Sequence, residues 1–215
     1  MGAIELFDRY HREYDEWFER NRDKYVLELR ALRPFVPPGA EGLEVGVGTG
    51  RFAAPLGVGV GVEPSRAMAV RARRLGVRVV QAVAESLPFP DASFDVVLMV
   101  TTVCFVDDLA RSLDEARRVV RAGGRLVVGF VDRESALGQA YLAKRARSRF
   151  YGAARFRSTA ELLEALSRAG FRGFETLQTL LPGAAGAAVE PGHGQGGFVV
   201  IKGVKPASAA SDLRR

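Results

Sequence analysis

Five short apolar runs, at residues 42–47, 58–62, 77–82, 94–100 and 125–131, are separated by turn residues and by amphipathic stretches at 66–75 and 109–120. Apolar runs this short, bounded by glycine or proline, read as buried strands. Strands that alternate with helices require a parallel sheet covered on both faces. Gly76 and the Gly123-Gly124 pair close the two helices as C-terminal caps. Asp107 or Asp108 is placed to cap the start of the second. Ser158-Thr159-Ala160-Glu161 forms a capping box that opens a further helix, and Gly170 ends it. Runs at 174–181 and 198–204 bring the expected strands to seven, the last two joined by a Gly/Ala/Pro-rich loop at 182–197.

Composition narrows the setting. The 215 residues are 47% hydrophobic and 26% charged, which excludes wholesale disorder. No apolar run reaches the ~20 residues a membrane span needs. Residues 1–17 have no apolar core before their charges, so no secretory signal is expected. One cysteine, Cys104, excludes an internal disulfide, and with only two histidines no metal site is expected. A reducing, cytoplasmic setting follows as the expectation. The net charge of +6 falls entirely within residues 132–215. Lys144, Arg145, Arg147, Arg149, Arg155 and Arg157 stand there without an intervening acid, as a patch for an anionic partner or as a solvated helix face.

Leu43-Glu44-Val45-Gly46-Val47-Gly48-Thr49-Gly50 is a strand running into a glycine turn, and the next strand ends in Glu63. The glycines let the backbone turn sharply and approach a ligand. A carboxylate at the second strand's end can take both hydroxyls of a ribose. Together they indicate a nucleoside cofactor. The spacing is G-x-G-x-G rather than the G-x-G-x-x-G of dinucleotide folds, and the following helix at 51–56 is short and contains Pro55. By itself this leaves a nicotinamide cofactor open.

The chain resembles class I S-adenosylmethionine-dependent methyltransferases of the small-molecule type, related to ubiquinone/menaquinone-biosynthesis methyltransferases. Four stretches carry the resemblance: the glycine motif at 43–50, Val60-Gly61-Val62-Glu63-Pro64-Ser65, the Ala84–Asp95 stretch A-E-S-L-P-F-P-D-A-S-F-D, and Arg121–Leu126. It implies a Rossmann-like α/β fold: a seven-stranded, mostly parallel sheet with an antiparallel last strand and helices on both faces. A helical cap would occupy 1–38, the methyltransferase domain 39–205 with a lid-like insertion at 132–157, and a frayed tail 206–215.

The same resemblance gives Glu63 to the ribose diol, and Gly46, Gly48 and Gly50 to the methionine and ribose portion, with Glu44 of the same motif counted among the cofactor residues. Pro64 would pack on the adenine, Ala84 and Glu85 would border it, Leu87 would lie beneath it, and the Thr101 carbonyl would meet the cofactor's amino group. S-adenosylhomocysteine is the implied product and no metal is implied. Two departures stand out. Val83 occupies a place where relatives often carry an Asp that accepts from the adenine. Thr102-Val103-Cys104-Phe105 stand where many relatives have a histidine.

Methyl transfer chiefly requires holding an acceptor in line and excluding water. A base is needed only if the acceptor must first lose a proton. Candidates for that role are Tyr14, His11, Asp132 and His193. Residues expected to face the substrate are Tyr10, Tyr14, Trp17, Cys104, Arg133 and Tyr151, with Tyr141, Arg155, Arg157 and Glu190 as further candidates. Tyr14-Asp15-Glu16-Trp17-Phe18 resembles a stretch that closes over the cofactor in relatives; an aromatic stripe packing one or two helices at 4–33 onto the sheet accounts for it equally. Cys104 also reads as a small buried hydrophobe. The expected partner is a small-molecule acceptor, with no membrane and a monomer by default. An RNA or protein acceptor using the 144–157 segment, a nicotinamide oxidoreductase, and a non-catalytic nucleoside-binding module are the alternatives.

Overall fold

The computed structural model describes residues 2–183 and 188–207. Three helices lead in: α1 (Ala3–Arg9), α2 (His11–Arg20) and α3 (Arg22–Leu32). Then come β1 (Gly42–Val45), α4 (Ala53–Leu56), β2 (Val60–Val62), α5 (Arg66–Arg74) and β3 (Arg78–Val80). β4 (Phe94–Val100), α6 (Leu109–Val119) and β5 (Val120–Val131) complete the first part. The second part runs α7 (Ala136–Ala143), α8 (Thr159–Arg168), β6 (Arg172–Thr179), β7 (Glu190–Pro191) and β8 (Phe198–Val204). The sheet order is β3-β2-β1-β4-β5-β8-β6-β7. β1 to β5 pair in parallel; β8 runs antiparallel to β5 and β6, and β7 antiparallel to β6.

Among the described residues the sheet therefore has eight strands, not seven. The extra one, β7, is two residues inside the 182–197 loop, paired through Gln178 and Leu177. A pair that short has no periodicity for a sequence reading to find. The leading helices number three, not one or two. They break at Tyr10 and Asn21, whose ψ angles of 27° and 38° leave the helical range. Residues 184–187 of the loop and 208–215 of the expected tail lie outside the described residues.

Alternation along the strands builds two cores, one on each face of the sheet. Val97 and Met99 of β4 join Leu126 and Val128 of β5 under α6 and α8. Val96, Leu98 and Val100 face the other way, with Val127 and Phe198, under α3 and α5. Ala31 and Leu32 are fully buried, so α3 belongs to this second core. The expected capping box on α8 is formed and Asp108 caps α6, but Gly123 and Gly124 do not close α6: the helix ends at Val119 and both glycines lie within β5. Glu115 and Arg118 of α6 hold the 84–91 stretch: Glu115 accepts from the Leu87 amide at 2.8 Å, and Arg118 donates to the carbonyls of Leu87 and Phe89.

Candidate functional site

The carboxyl ends of β1, β2 and β4 meet beside the point where strand order reverses, the usual ligand crevice of such sheets. A cavity of about 410 Å³ lies there. Gly46 and Gly48 line it from the turn after β1, and Val62, Glu63 and Pro64 from the end of β2. Ala82–Glu85 and Thr101, Thr102, Phe105, Val106 and Asp107 form further walls. Gly2–Glu5, Phe7 of α1 and Tyr14 of α2 roof it. Among the described residues four acids line this cavity (Glu5, Glu63, Glu85 and Asp107) and no Lys or Arg does.

The glycine turn is held by backbone bonds. The amides of Gly46 and Val47 both donate to the Val62 carbonyl, at 2.8 and 2.9 Å. Gly46 has φ +70°, and a Cβ there would stand 2.5 Å from Thr102 Oγ1. Glu63 completes the turn. Its Oε2 accepts from the Gly48 amide and its Oε1 from the Ser65 amide, each at 2.9 Å. Burial raises its carboxyl above the ordinary range, and the two amides oppose that rise.

Two carboxylates fasten the roof. Asp8 of α1 accepts from Ser65 Oγ at 2.7 Å and the Ala67 amide at 2.9 Å. Asp15 of α2 accepts from Thr49 Oγ1 at 3.0 Å and Arg51 Nε at 2.6 Å, and pairs with Arg71 of α5. Burial pushes the Asp15 carboxyl up, but the hydrogen bonds from Arg51, Arg71 and Thr49 outweigh it and hold it at about 2. An aromatic cluster seals the seam. Phe7 meets Phe105 edge-on at 4.9 Å, meets Tyr14 edge-on at 5.7 Å, and stacks on Phe150 at 5.7 Å.

A second, smaller cavity of about 80 Å³ shares Thr101 and Phe105 with the first. Phe130 and Val131 at the end of β5, Val103 and Cys104, and Tyr141, Tyr151, Ala154, Phe156 and Arg157 of the stretch between β5 and α8 enclose it. Tyr141 and Tyr151 stack at 4.2 Å. The Arg155 amide donates to the Cys104 carbonyl at 2.7 Å, tying the insertion to the loop after β4.

The sequence-chosen residues separate into two groups. Gly46, Gly48, Glu63, Pro64, Ala84, Glu85, Thr101 and Tyr14 line the first cavity, and Cys104 and Tyr151 the second. Tyr141 and Arg157, named as further candidates, also line the second; the remaining ones lie elsewhere. Glu44 is buried beneath the turn, its Oε2 without a partner, and its carboxyl is raised by burial. Gly50 packs on Ala72 of α5, and Leu87 is buried in the core. Trp17 packs edge-on against Phe18, and Tyr10 lies under the Arg149 guanidinium at 4.6 Å. Asp132 is buried, accepting from Thr159 Oγ1 at 2.6 Å and the Glu134 amide at 2.9 Å, so it braces the turn into α7. Arg133 pairs with Glu161 at 2.9 Å. His11 sits at the start of α2 and lines neither cavity. His193 is exposed beside Thr176, at the sheet edge three strands beyond β5. Oε1 of Glu85 accepts from the amides of Asp107 and Asp108, at 2.9 and 3.2 Å.

Sequence reasoning missed Asp107, Phe105 and Phe150. Asp107 lines the same cavity as Val83. Phe7 was legible only as one member of an aromatic stripe; nothing in its spacing singles it out as a roof residue.

Residues 43–128 match the family model of a methyltransferase domain. A SAM-dependent methyltransferase of Thermotoga maritima, described as a possible histamine N-methyltransferase, superposes with a TM-score of 0.90 at 47% identity, covering 94% of this chain and 99% of that one. The chain belongs to the class I S-adenosylmethionine-dependent methyltransferases. An uncharacterised protein of Methanocaldococcus jannaschii is 40% identical across 94% of this chain and all of its own length. A demethylmenaquinone methyltransferase of Tropheryma whipplei is 41% identical over 101 residues, 43% of this chain and 42% of its own. Among the described residues no helix is long and apolar enough to cross a membrane, and no cluster of metal-ligating side chains occurs.

Proposed function

We infer that the protein transfers a methyl group from S-adenosylmethionine to a small-molecule acceptor. The lining charge of the first cavity carries this reading. Four acids and no cation suit a positively charged sulfonium and oppose the pyrophosphate of a dinucleotide. Glu63 would take the ribose hydroxyls, with each carboxylate oxygen already aimed by one backbone amide. Gly46 and Gly48 would leave room for the methionine portion. Pro64, Ala84 and Glu85 would border the adenine, with Asp107 accepting from its amino group in place of Val83. The Thr101 carbonyl, at the junction of the two cavities, would meet the methionine ammonium. S-adenosylmethionine, when bound, supplies a methyl on a cationic sulfur that departs as a neutral thioether.

The chain's own residues position and desolvate. Phe7, Tyr14 and Phe105 close the seam against water. In the second cavity the Cys104 thiol and the Tyr141 and Tyr151 phenols stay protonated near neutral pH. Burial pushes the Cys104 thiol up to about 12 and raises the Tyr151 phenol well above its ordinary value. Tyr14 of the first cavity is raised too, by burial and by Glu44 and Glu63. We read the acceptor as one that attacks with a lone pair it already has. In the basic segment, Arg145, Arg149 and Arg155 are turned onto the Gly152 carbonyl, Glu13 and the Asp107 carbonyl, which leaves the RNA or protein reading without support.

Calorimetric titration with S-adenosylmethionine and S-adenosylhomocysteine, with NADH as control, tests the reading. The adenosyl pair binds and NADH does not. Glu63→Ala weakens that binding by about 1.5–3 kcal/mol, roughly 10- to 150-fold. Unchanged affinity would remove Glu63 from the ribose; a preference for NADH would overturn the reading as a whole.

A further inference from the structure

We propose that the second cavity is the acceptor pocket and that it takes a small acceptor bearing an oxyanion, a carboxylate or phosphate, held by the Arg157 guanidinium. The proposal rests on the methyltransferase reading above. The cavity opens beside the first across Thr101 and Phe105, so a molecule seated in it faces the end of the nucleoside cavity where the reacting group must lie. Its walls are otherwise apolar or aromatic: Phe130, Tyr141, Tyr151 and Phe156, with Cys104. Arg157 is the one charged residue in that lining, and no acid accompanies it.

Arg157 is also uncommitted. Its Nε is enclosed and has no hydrogen-bond partner among the described residues. An enclosed donor without an acceptor is costly, and native proteins rarely leave one so. The nearby acid, Glu161, is already engaged by Arg133 at 2.9 Å and by the Ser158 amide at 3.0 Å. Cys104, which shares the lining with Arg157, turns its Sγ to the Thr101 carbonyl at 3.2 Å, and the Tyr141 and Tyr151 hydroxyls bond to each other. A guanidinium presents a planar fork of donors that matches a carboxylate or phosphate edge. In apolar surroundings that pairing is strong and selective by sign. A cationic amine such as histamine would meet no carboxylate in this pocket.

The test uses three probes of one shape and different charge: isobutyrate, isobutyramide and isobutylammonium. Each is titrated by ligand-observed NMR into the full chain saturated with S-adenosylhomocysteine, whose own binding is measured first. Isobutyrate binds about tenfold or more tighter than isobutyramide, and isobutylammonium binds weakest. In R157Q the anion's advantage collapses to about equal binding, while S-adenosylhomocysteine affinity stays as in the unchanged protein. R157K, which keeps the charge and loses the fork, retains part of the advantage and covers the case in which R157Q does not fold. A preference for isobutylammonium, no binding of any probe, or an anion preference that survives in R157Q overturns the proposal while the methyltransferase reading stands. Failure of S-adenosylhomocysteine to bind removes that reading, and the proposal with it.

Discussion

The two cavities share a partition, Thr101 and Phe105, yet they are opposite in charge. The larger is lined by four acids and no base, the smaller by one arginine and no acid. They also differ in origin. The floor of the larger is backbone: a glycine turn bonded to Val62 and a carboxylate gripped by two amides. The smaller is walled by side chains from the end of β5 and the stretch between β5 and α8, resting on the loop after β4. Opposite signs on the two sides of one partition would hold a cationic donor and an anionic acceptor each in its own compartment. Thr101 sits at the junction with φ +53°, a conformation rare for a β-branched residue. Its amide donates to Gly129 at 2.7 Å, which helps hold it there. Backbone strain of this kind clusters at functional sites.

The largest effect is expected where the backbone floor is broken. Gly46→Ala places a Cβ 2.5 Å from Thr102 Oγ1 at φ +70°. Left-handed backbone and forced contact together cost about 2–5 kcal/mol of folding free energy. Gly39→Ala is the control, with φ +75° and nothing within 4 Å, so it bears the backbone term alone. Urea unfolding of the two variants separates the terms. Equal losses would mean that Thr102 yields freely and that the floor is not a fixed surface.

That contrast also explains what the sequence reveals. The floor was legible because its chemistry is local: glycines at fixed spacing and an acid at a strand end, all within residues 43–65. The glycines nevertheless divide in role. Gly46 and Gly48 line the cavity, while Gly50 is required by its closeness to Ala72 Cα, 3.1 Å from an added Cβ. Both histidines were sensible candidates by residue type, but an imidazole acts only where the topology carries it. β7 carries His193 to the far edge of the sheet. Asp132 follows a strand end just as Glu63 does, yet Thr159 and the Glu134 amide consume its carboxylate. The roof was the least legible part. It depends on contacts between residues 7, 105 and 150, whose separation in the chain no periodicity encodes.

The roof over the acid-lined cavity supplies the next prediction. Asp15 binds Thr49, Arg51 and Arg71, and its carboxyl is held at about 2, below the usual 3.8. A depressed folded-state value gives stability that is present above the unfolded value and lost as pH falls through the folded one. The latch is therefore complete above about pH 4 and fails towards pH 2. Asp15→Asn removes about 2 kcal/mol at neutral pH. Trp17, the single tryptophan, lies two residues away on the same helix, so its fluorescence reports the latch. Glu115, held at about 2 by Arg118, titrates in the same window but acts on the 84–91 stretch. The acid step in Trp17 fluorescence disappears in Asp15→Asn and persists in Glu115→Gln. The reverse pattern would place the acid sensitivity in the body of the fold rather than in its roof.

The smallest effect concerns the partition, where the two cavities meet. Phe105 touches both, and Phe7 of the roof meets it edge-on at 4.9 Å. An edge-to-face pair of this kind contributes about 0.5–1.5 kcal/mol beyond its burial. Phe7→Leu and Phe105→Leu, singly and together, isolate that term as the coupling of a double-mutant cycle read by urea unfolding. Leucine keeps most of the apolar volume, so the cycle reports ring geometry rather than cavity formation. Repeating the cycle with S-adenosylhomocysteine bound asks whether the larger cavity's ligand bears on the seam. A coupling that grows on binding means that the roof closes onto a filled nucleoside cavity and firms the wall of the acceptor pocket as it does so. A coupling unchanged by the ligand means that the partition is set by the fold alone and that each cavity fills independently of the other.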